Sequence, residues 1–319
     1  MNEQSNNGLA IEAKGLVKIY EGDVLAVDGI DMAIEANTIY AMLGPNGAGK
    51  TTTFSMLTTL LEPTEGTAKV SGFDVIKQAN DVRRQIGVTF QETVLDNELT
   101  GRQALDYHGR LYGMSKESRV EKISELLALV ELEEAAGRVI STYSGGMKRR
   151  LELIRGLMTN PRVLFLDEPT LGLDPQSRAR IGDYILDLKE KEGLTVLLTT
   201  HYMDEAELLA DRVGIIDHGK ILVEGTPAEL VDQMGADVII IQGSGDSEQF
   251  IEKVNALPYT EMVTSADGII QIGVGSGSRR LVEILSQAHE AGYQVEDVSV
   301  SKPSLGDVFL KYTGRQFRD

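Results

Sequence analysis

The chain opens on short alternations of apolar and polar positions: Leu9 and Ile11, then Leu25 and Val27, then Ile30, Met32 and Ile34, broken by Gly and Asp. A period of two places one face of each segment on a core and predicts antiparallel strands. Residues 38–43 form a compact apolar strand that runs directly into Gly44-Pro-Asn-Gly-Ala-Gly-Lys50-Thr51-Thr52 and then into a helical pattern ending at Leu61. Residues 101–133 are helix-rich, with Leu126, Leu127, Leu129 and Val130 marking a buried face. A helix after Gly146, a strand at 163–166, a helix near 176–191 and a strand at 195–200 follow. Strands alternating with helices predict an α/β fold whose parallel sheet is covered on both faces.

The pattern changes near Gly235. From there the periodicities predict a strand (237–242), a helix (247–257), two strands (259–265 and 268–275), a helix (278–292) and a strand (295–301). That βαββαβ order is the ferredoxin-like α+β arrangement. A last helix, 304–313, precedes a basic tail. The expected organisation is a disordered tail at 1–8, a large α/β domain at 9–234 with a helical subdomain at about 100–160, and a small ferredoxin-like domain at 235–319. There is no internal repeat and no low-complexity segment.

Composition narrows the functional classes. With 42% hydrophobic residues, the chain of 319 has enough apolar material for sizeable cores. The 49 acidic residues against 31 basic ones give a net charge of −18, which argues against a nucleic-acid partner. The absence of cysteine removes disulfides, thiolate metal sites and a cysteine nucleophile. Residues 1–8 carry no apolar run of a signal peptide, and no stretch approaches the roughly 18 to 20 apolar residues of a membrane helix. A soluble, cytoplasmic chain is expected, with any membrane role coming through a partner.

Candidate chemistry starts at the glycine-rich loop. Gly44-x-x-x-x-Gly49-Lys50-Thr51 fits the phosphate-loop pattern, with a strand before it and a helix after it. At average glycine frequency such a match arises by chance in roughly one per cent of chains this long. The glycines admit phosphate oxygens close to the backbone, and the helix amino terminus directs free N–H groups at them. Lys50 would neutralise the β- and γ-phosphates, and Thr51 would offer its hydroxyl to Mg²⁺. The strand at 163–166 ends in Asp167-Glu168, where Asp167 suits Mg²⁺ and Glu168 a general base for the attacking water.

His201 ends the next strand, at the carboxyl edge where open α/β sheets bind ligands, and could donate to the γ-phosphate. Gln91, after the strand at 86–90, could reach Mg²⁺ or the water with its amide. Ser144-Gly145-Gly146 opens a helix with a good N-cap and close backbone access, although an ordinary capped helix looks the same. His108 and His218 have no such placement and are expected to be ordinary helix or surface residues. His289 stands without acids at metal spacing.

In order, Tyr20, the loop at 44–52, Gln91, Ser144-Gly145-Gly146, Asp167-Glu168, Leu171-Gly-Leu-Asp174 and His201 resemble the ATP-binding-cassette (ABC) ATPases over about residues 9–230. The resemblance implies Tyr20 stacked on adenine, and Gly44, Pro45, Asn46, Gly47, Ala48, Gly49, Lys50, Thr51 and Thr52 around the phosphates. It implies that Gln91 links Mg²⁺ to a transmembrane partner; the segment 92–100 just after it, between the core and the helical region, is expected to form that contact. It also implies that Ser144, Gly145 and Gly146 contact the γ-phosphate held by the other subunit of a homodimer, with Asp174 in the loop joining the two sites. Tyr143 and Met147-Lys148 depart from the commonest signature and are similar to the branch serving daunorubicin-resistance-type and related multidrug exporters. Pro303-Ser-Leu-Gly-Asp-Val-Phe-Leu is similar to that branch too, with Gly306 where an acid is expected.

The function implied is an ATP- and Mg²⁺-dependent motor at the inner face of the cell membrane, driving a separate permease that exports small hydrophobic compounds. A soluble nucleotide switch acting on ribosomes or DNA is the alternative. The single cassette, the acidic charge and the absence of a heptad stretch weigh against it.

Overall fold

The computed structural model describes residues 8–234, 237–266, 268–275, 277–301 and 303–314. Most of the expected 1–8 tail, Gly235 at the expected boundary, and the basic tail from 315 onward lie outside the described residues. The chain divides into two compact units, Met1–Ile221 and Leu222–Asp319.

In the first unit, β1 (Leu9–Tyr20) and β2 (Val24–Glu35) are followed by β3 (Ile39–Leu43), α1 (Lys50–Leu57), β4 (Glu65–Val70) and β5 (Phe73–Asp74). The chain continues through α2 (Ala79–Gln85), β6 (Ile86–Thr89) and three helices, α3 (Gly101–Leu111), α4 (Lys116–Leu129) and α5 (Gly145–Leu157). It ends with β7 (Val163–Asp167), α6 (Pro175–Glu192), β8 (Thr195–Thr200), α7 (Met203–Leu209), β9 (Arg212–Asp217) and β10 (Lys220–Gly225), the last crossing the division.

Two sheets result. The antiparallel one has the order β2-β1-β4-β5, and β2 buries Ile30, Met32 and Ile34 on alternate positions. The other has the order β10-β9-β3-β8-β7-β6, in which β3, β8, β7 and β6 run parallel. Every residue of β3, β7 and β8 is buried, as strands covered on both faces require. One core joins the sheets: Ile11, Leu16 and Ile34 meet Tyr40, Met42, Phe165 and Leu197 around α1, where Phe54 meets Phe165 edge-on at 5.7 Å. The helices α3 to α5 begin at polar caps, Thr100 with a full capping box, Ser115 and Ser144.

The second unit contains α8 (Pro227–Asp232), β11 (Asp237–Gly245), α9 (Ser247–Asn255), β12 (Thr260–Ala266), β13 (Ile269–Val274), α10 (Gly277–Glu290), β14 (Tyr293–Ser301) and α11 (Leu305–Thr313). Its antiparallel sheet has the order β12-β13-β11-β14, the ferredoxin-like order expected from βαββαβ. One face is sealed by Phe250 and Val254 of α9 and Ile284 and Ala288 of α10, with Phe250 stacked on Tyr293 at 5.2 Å. Ser304 and Asp307 form a capping box at α11, next to Gly306. Lys311 and Tyr312 of α11 donate to Gln233 after α8, at 3.2 and 3.3 Å.

The second unit thus has its own hydrophobic core. Phe250→Ala removes a fully buried ring and is expected to destabilise that unit by about 3–5 kcal/mol. Denaturant unfolding of the full chain should show the loss, while nucleotide affinity stays within twofold (about 0.4 kcal/mol) of the original.

Candidate functional site at the strand ends

The parallel registers place four strand ends in one row. Leu43 pairs with Thr200, Asp167 with Thr199, and Thr89 with Leu166. The residues that follow these ends therefore share the carboxyl edge of the sheet, where such sheets bind ligands. Gly44, His201, Glu168 and Gln91 all lie just beyond that edge.

The loop needs its glycines for steric and conformational reasons. A Cβ at Gly44 would collide with the Ile216 carbonyl, and one at Gly49 would come within 2.7 Å of the Ala26 carbonyl. Gly47 and Gly49 adopt φ of 80° and 105°, which side-chain-bearing residues rarely do. Gly49 is the N-cap of α1 and has no side chain to occupy the helix's free N–H groups. Lys50, buried in the first turn, donates to the carbonyls of Gly44 (2.7 Å) and Pro45 (3.2 Å). Its ammonium also lies 3.2 Å from Glu168 Oε1, with both side chains 5% exposed.

The other oxygen of Glu168 is 2.5 Å from His201 Nδ1. Glu168 adopts φ of 48°, a left-handed conformation unusual for a residue with a long side chain. In an extended strand Asp167 and Glu168 would point to opposite faces. The left-handed turn is what brings both acids to the same edge.

Asp167 accepts from the hydroxyls of Thr199 (2.5 Å) and Thr51 (3.5 Å). Burial pushes its carboxyl above the ordinary range, opposed by these two hydrogen bonds. A hydroxyl beside a carboxylate, with the Gln91 amide on the rim, is the hard-oxygen set that suits magnesium. Among the described residues no group of three or more His, Cys, Asp or Glu could hold a metal alone. Magnesium bound through one carboxylate and substrate phosphates fits this donor set.

An open cleft of about 270 Å³ is bounded by Pro45, Asn46, Gly47, Gly49, Lys50, Thr51, Thr52, Gln91, Glu168, Tyr20, Val24 and Ala26, while Asp167 and His201 adjoin Thr51 and Glu168 without lining it. Gly44 and Ala48 are buried behind the loop. Tyr20, 42% exposed, borders the cleft, with Lys18 over its ring at 5.6 Å from the centroid.

Ser144, Gly145, Gly146 and Asp174 do not line this cleft. Ser144 caps α5 by accepting from the Met147 N–H, and Asp174 caps α6 through Ser177. Ser177's hydroxyl donates to Asp174 at 2.6 Å and holds that carboxyl below its usual range. A Cβ at Gly146 would come within 2.9 Å of Ser177 Oγ. The two helix starts are therefore neighbours, and Ser144, Gly145 and Asp174 are exposed.

The histidines set aside from the sequence are elsewhere. His108 is half-buried on α3 against Tyr112, and burial pushes it down to about 4. His218 and His289 are exposed.

Sequence reasoning missed three groups. Thr199 donates its hydroxyl to Asp167 and accepts the Glu168 N–H on the same oxygen at 3.0 Å. Arg149, buried on α5, donates to the carbonyls of Phe90, Asp167, Glu168 and Pro169. Glu152, fully buried one turn later, accepts from Arg149 (3.5 Å) and from the Val94 N–H (2.7 Å). The only signal was an opposite-charge pair three residues apart on an otherwise apolar helix face, which reads as a surface pair.

Known proteins match this arrangement. The ABC transporter family model matches residues 27–171, and the model described as the ATP-binding protein DrrA1-3-like C-terminal domain matches 225–313. The daunorubicin/doxorubicin resistance ATP-binding protein DrrA of Streptomyces peucetius is 42% identical, over 100% of this chain and 96% of its own length. The linearmycin resistance ATP-binding protein LnrL of Bacillus subtilis (strain 168) is 36% identical, over 97% of this chain and 100% of its own. Among solved structures, the dimeric post-hydrolysis state of the ATP-binding cassette MJ0796 bound to ADP and Pi has a TM-score of 0.62 at 27% identity, covering 68% of this chain and 98% of that one. A phosphate loop, a strand-end acid pair and a ferredoxin-like second unit, matched over the full length, place the chain in the family of ABC transporter ATPase subunits, in the branch of the DrrA-type resistance proteins.

Proposed function

We propose that this chain is the motor subunit of an exporter: it binds ATP with Mg²⁺, pairs head to tail with a second copy, and uses hydrolysis to drive a separate membrane permease. The observation that carries the reading is the convergence of Lys50, Asp167, Glu168 and His201 on one sheet edge. Among the described residues no helix is long and apolar enough to cross a membrane, so the passage itself falls to a partner. Relatives named for daunorubicin, doxorubicin and linearmycin resistance support small hydrophobic compounds as the exported class. They give no support to the alternative of a switch on ribosomes or DNA.

In this reading the loop's N–H groups and Lys50 bind the β- and γ-phosphates, and Tyr20 offers its face to adenine. Thr51, Asp167 and Gln91 would hold magnesium, which supplies charge neutralisation at the phosphate oxygens. Glu168 takes the proton of the attacking water, and His201, bonded to the same carboxylate, fixes its direction. Ser144, Gly145, Gly146 and Asp174 lie outside the lining of their own chain's cleft. A second chain arranged head to tail would bring them to the γ-phosphate held by its partner's loop, closing two shared sites.

Lys50→Ala removes the buried charge facing the phosphates, so ATP affinity and turnover should both fall. Wild-type turnover in that variant would sink the assignment of the loop. Glu168→Gln keeps the shape and loses the proton acceptor, for an expected loss on the order of 10² to 10⁴ in turnover. That variant should accumulate as an ATP-bound dimer on size-exclusion chromatography, and Ser144→Arg should abolish the dimer. A Glu168→Gln protein that stays monomeric at saturating ATP, alone and with its permease, overturns the shared site.

The segment 92–100 is proposed to contact the permease. Asp96 and Glu98 are both exposed, but Asp96 accepts from the Glu98 N–H at 2.9 Å, so reversing Asp96 would also break its turn. Glu98→Lys should reduce drug efflux while basal ATPase stays close to the original. Unchanged efflux with normal complex formation argues against the placement.

A further inference from the structure

Arg149 offers five N–H donors. Nε reaches the Pro169 carbonyl at 2.6 Å, and Nη2 reaches the carbonyls of Asp167 and Glu168, both at 2.8 Å. Nη1 reaches the Phe90 carbonyl at 2.5 Å and Glu152 at 3.5 Å. One buried guanidinium is thus fully used, and three of its acceptors are consecutive carbonyls. An extended strand points successive carbonyls to opposite sides. They converge on one group here because the chain turns left-handed at Glu168.

A left-handed turn at a non-glycine residue is unfavourable and persists only where the surroundings enforce it. Three charge-assisted hydrogen bonds from a single rigid fork supply that enforcement. The same turn aims the Glu168 carboxylate between Lys50 and His201.

The second half of the contact is Glu152. Its carboxylate pairs with Arg149 and accepts from the Val94 N–H, while Arg149 holds the Phe90 carbonyl. The loop containing Gln91 is therefore grasped at both ends by one helix, the helix whose first turn is Ser144-Gly145-Gly146.

We propose that Arg149 and Glu152 form a buried clasp through which α5 sets both the aim of Glu168 and the position of the Gln91 loop within the same chain. Arg149 is a positioning residue: it touches no substrate and acts through Glu168. The inference rests on the motor reading above. It adds that movement of the α5 start is transmitted to the chain's own catalytic carboxylate by hydrogen bonds to main-chain carbonyls.

The test uses full-length protein in complex with its permease. Arg149→Lys keeps the charge but cannot fork to four carbonyls, so kcat should fall by about 10- to 100-fold, as small misplacements of catalytic groups do. KM for ATP should stay within twofold (about 0.4 kcal/mol), because Lys50 and the loop are untouched. In a Glu168→Gln background the same substitution should cost little more, since the group it positions is already disabled. Glu152→Gln, which keeps an acceptor for the Val94 N–H, should retain the wild-type ratio of substrate-stimulated to basal turnover, and Glu152→Ala should lose it.

A folded Arg149→Lys protein with wild-type kcat, or a full additional loss in the Glu168→Gln background, overturns the clasp and leaves the motor reading intact. If Arg149→Lys does not fold, equal stimulation ratios in Glu152→Gln and Glu152→Ala overturn it instead. Wild-type turnover in Glu168→Gln alone overturns the motor reading, and the clasp with it.

Discussion

The structure at the sheet edge depends on keeping an ammonium and a carboxylate together out of water. Lys50 and Glu168 are each 5% exposed, and desolvating two such charges costs several kcal/mol per ion. Their mutual attraction offsets that only with good geometry and further hydrogen bonds. Both conditions are met: Lys50 has two carbonyls besides Glu168, and Glu168 has His201 besides Lys50. In the proposed function, a phosphate arriving at the loop would compete with Glu168 for the same ammonium, so its binding and the release of the carboxylate would be two aspects of one exchange.

That exchange needs Glu168 to be where the strand would not put it. The parallel registers of β3, β8 and β7 bring the acids to the correct edge, but alternation along β7 would send one of them to the wrong face. The left-handed turn solves the placement, and Arg149 answers the turn. Burial by itself disfavours the guanidinium's charge, an effect opposed by Glu152 and Asp167. In the proposed clasp, the Glu168 carboxylate is thus aimed by a second buried ion pair on a different helix.

Much of this was legible in the sequence for identifiable reasons. The phosphate loop is a contiguous string whose glycines and lysine act through the backbone geometry they impose, so spacing alone reveals it. The ferredoxin-like order of the second unit was legible because its strands and helices each span enough residues to show a period. Two-turn helices such as α2 and α7 do not, and neither they nor β9 and β10 were marked by the pattern. Arg149 and Glu152 stayed hidden because their partners are main-chain carbonyls and an N–H, which leave no trace in side-chain identity. Tyr143 was noticed only as a departure from the common signature. The structure gives it a function: its hydroxyl donates to the Ala135 carbonyl at 2.7 Å and fills the space that a side chain at Gly101 would need.

These contacts bear on how the segment 92–100 can act as a relay. It is exposed along much of its length, yet it is tied down at close intervals: Val94 to Glu152 and Arg155, Asn97 to Lys148 and to the Ser141 N–H, Leu99 to the Ile140 N–H. Thr100 then caps α3, whose first residue, Gly101, lies against Tyr143. Each anchor belongs to α5 or to the residues just before it. A force applied to the exposed side of the segment therefore has a stiff route to α5, and from α5 through Arg149 to Glu168. A loop free of these ties would absorb the displacement locally. The stitching makes the segment part of the α5 body, so a contact made outside the nucleotide cleft and the aim of the carboxylate within it depend on the position of the same helix.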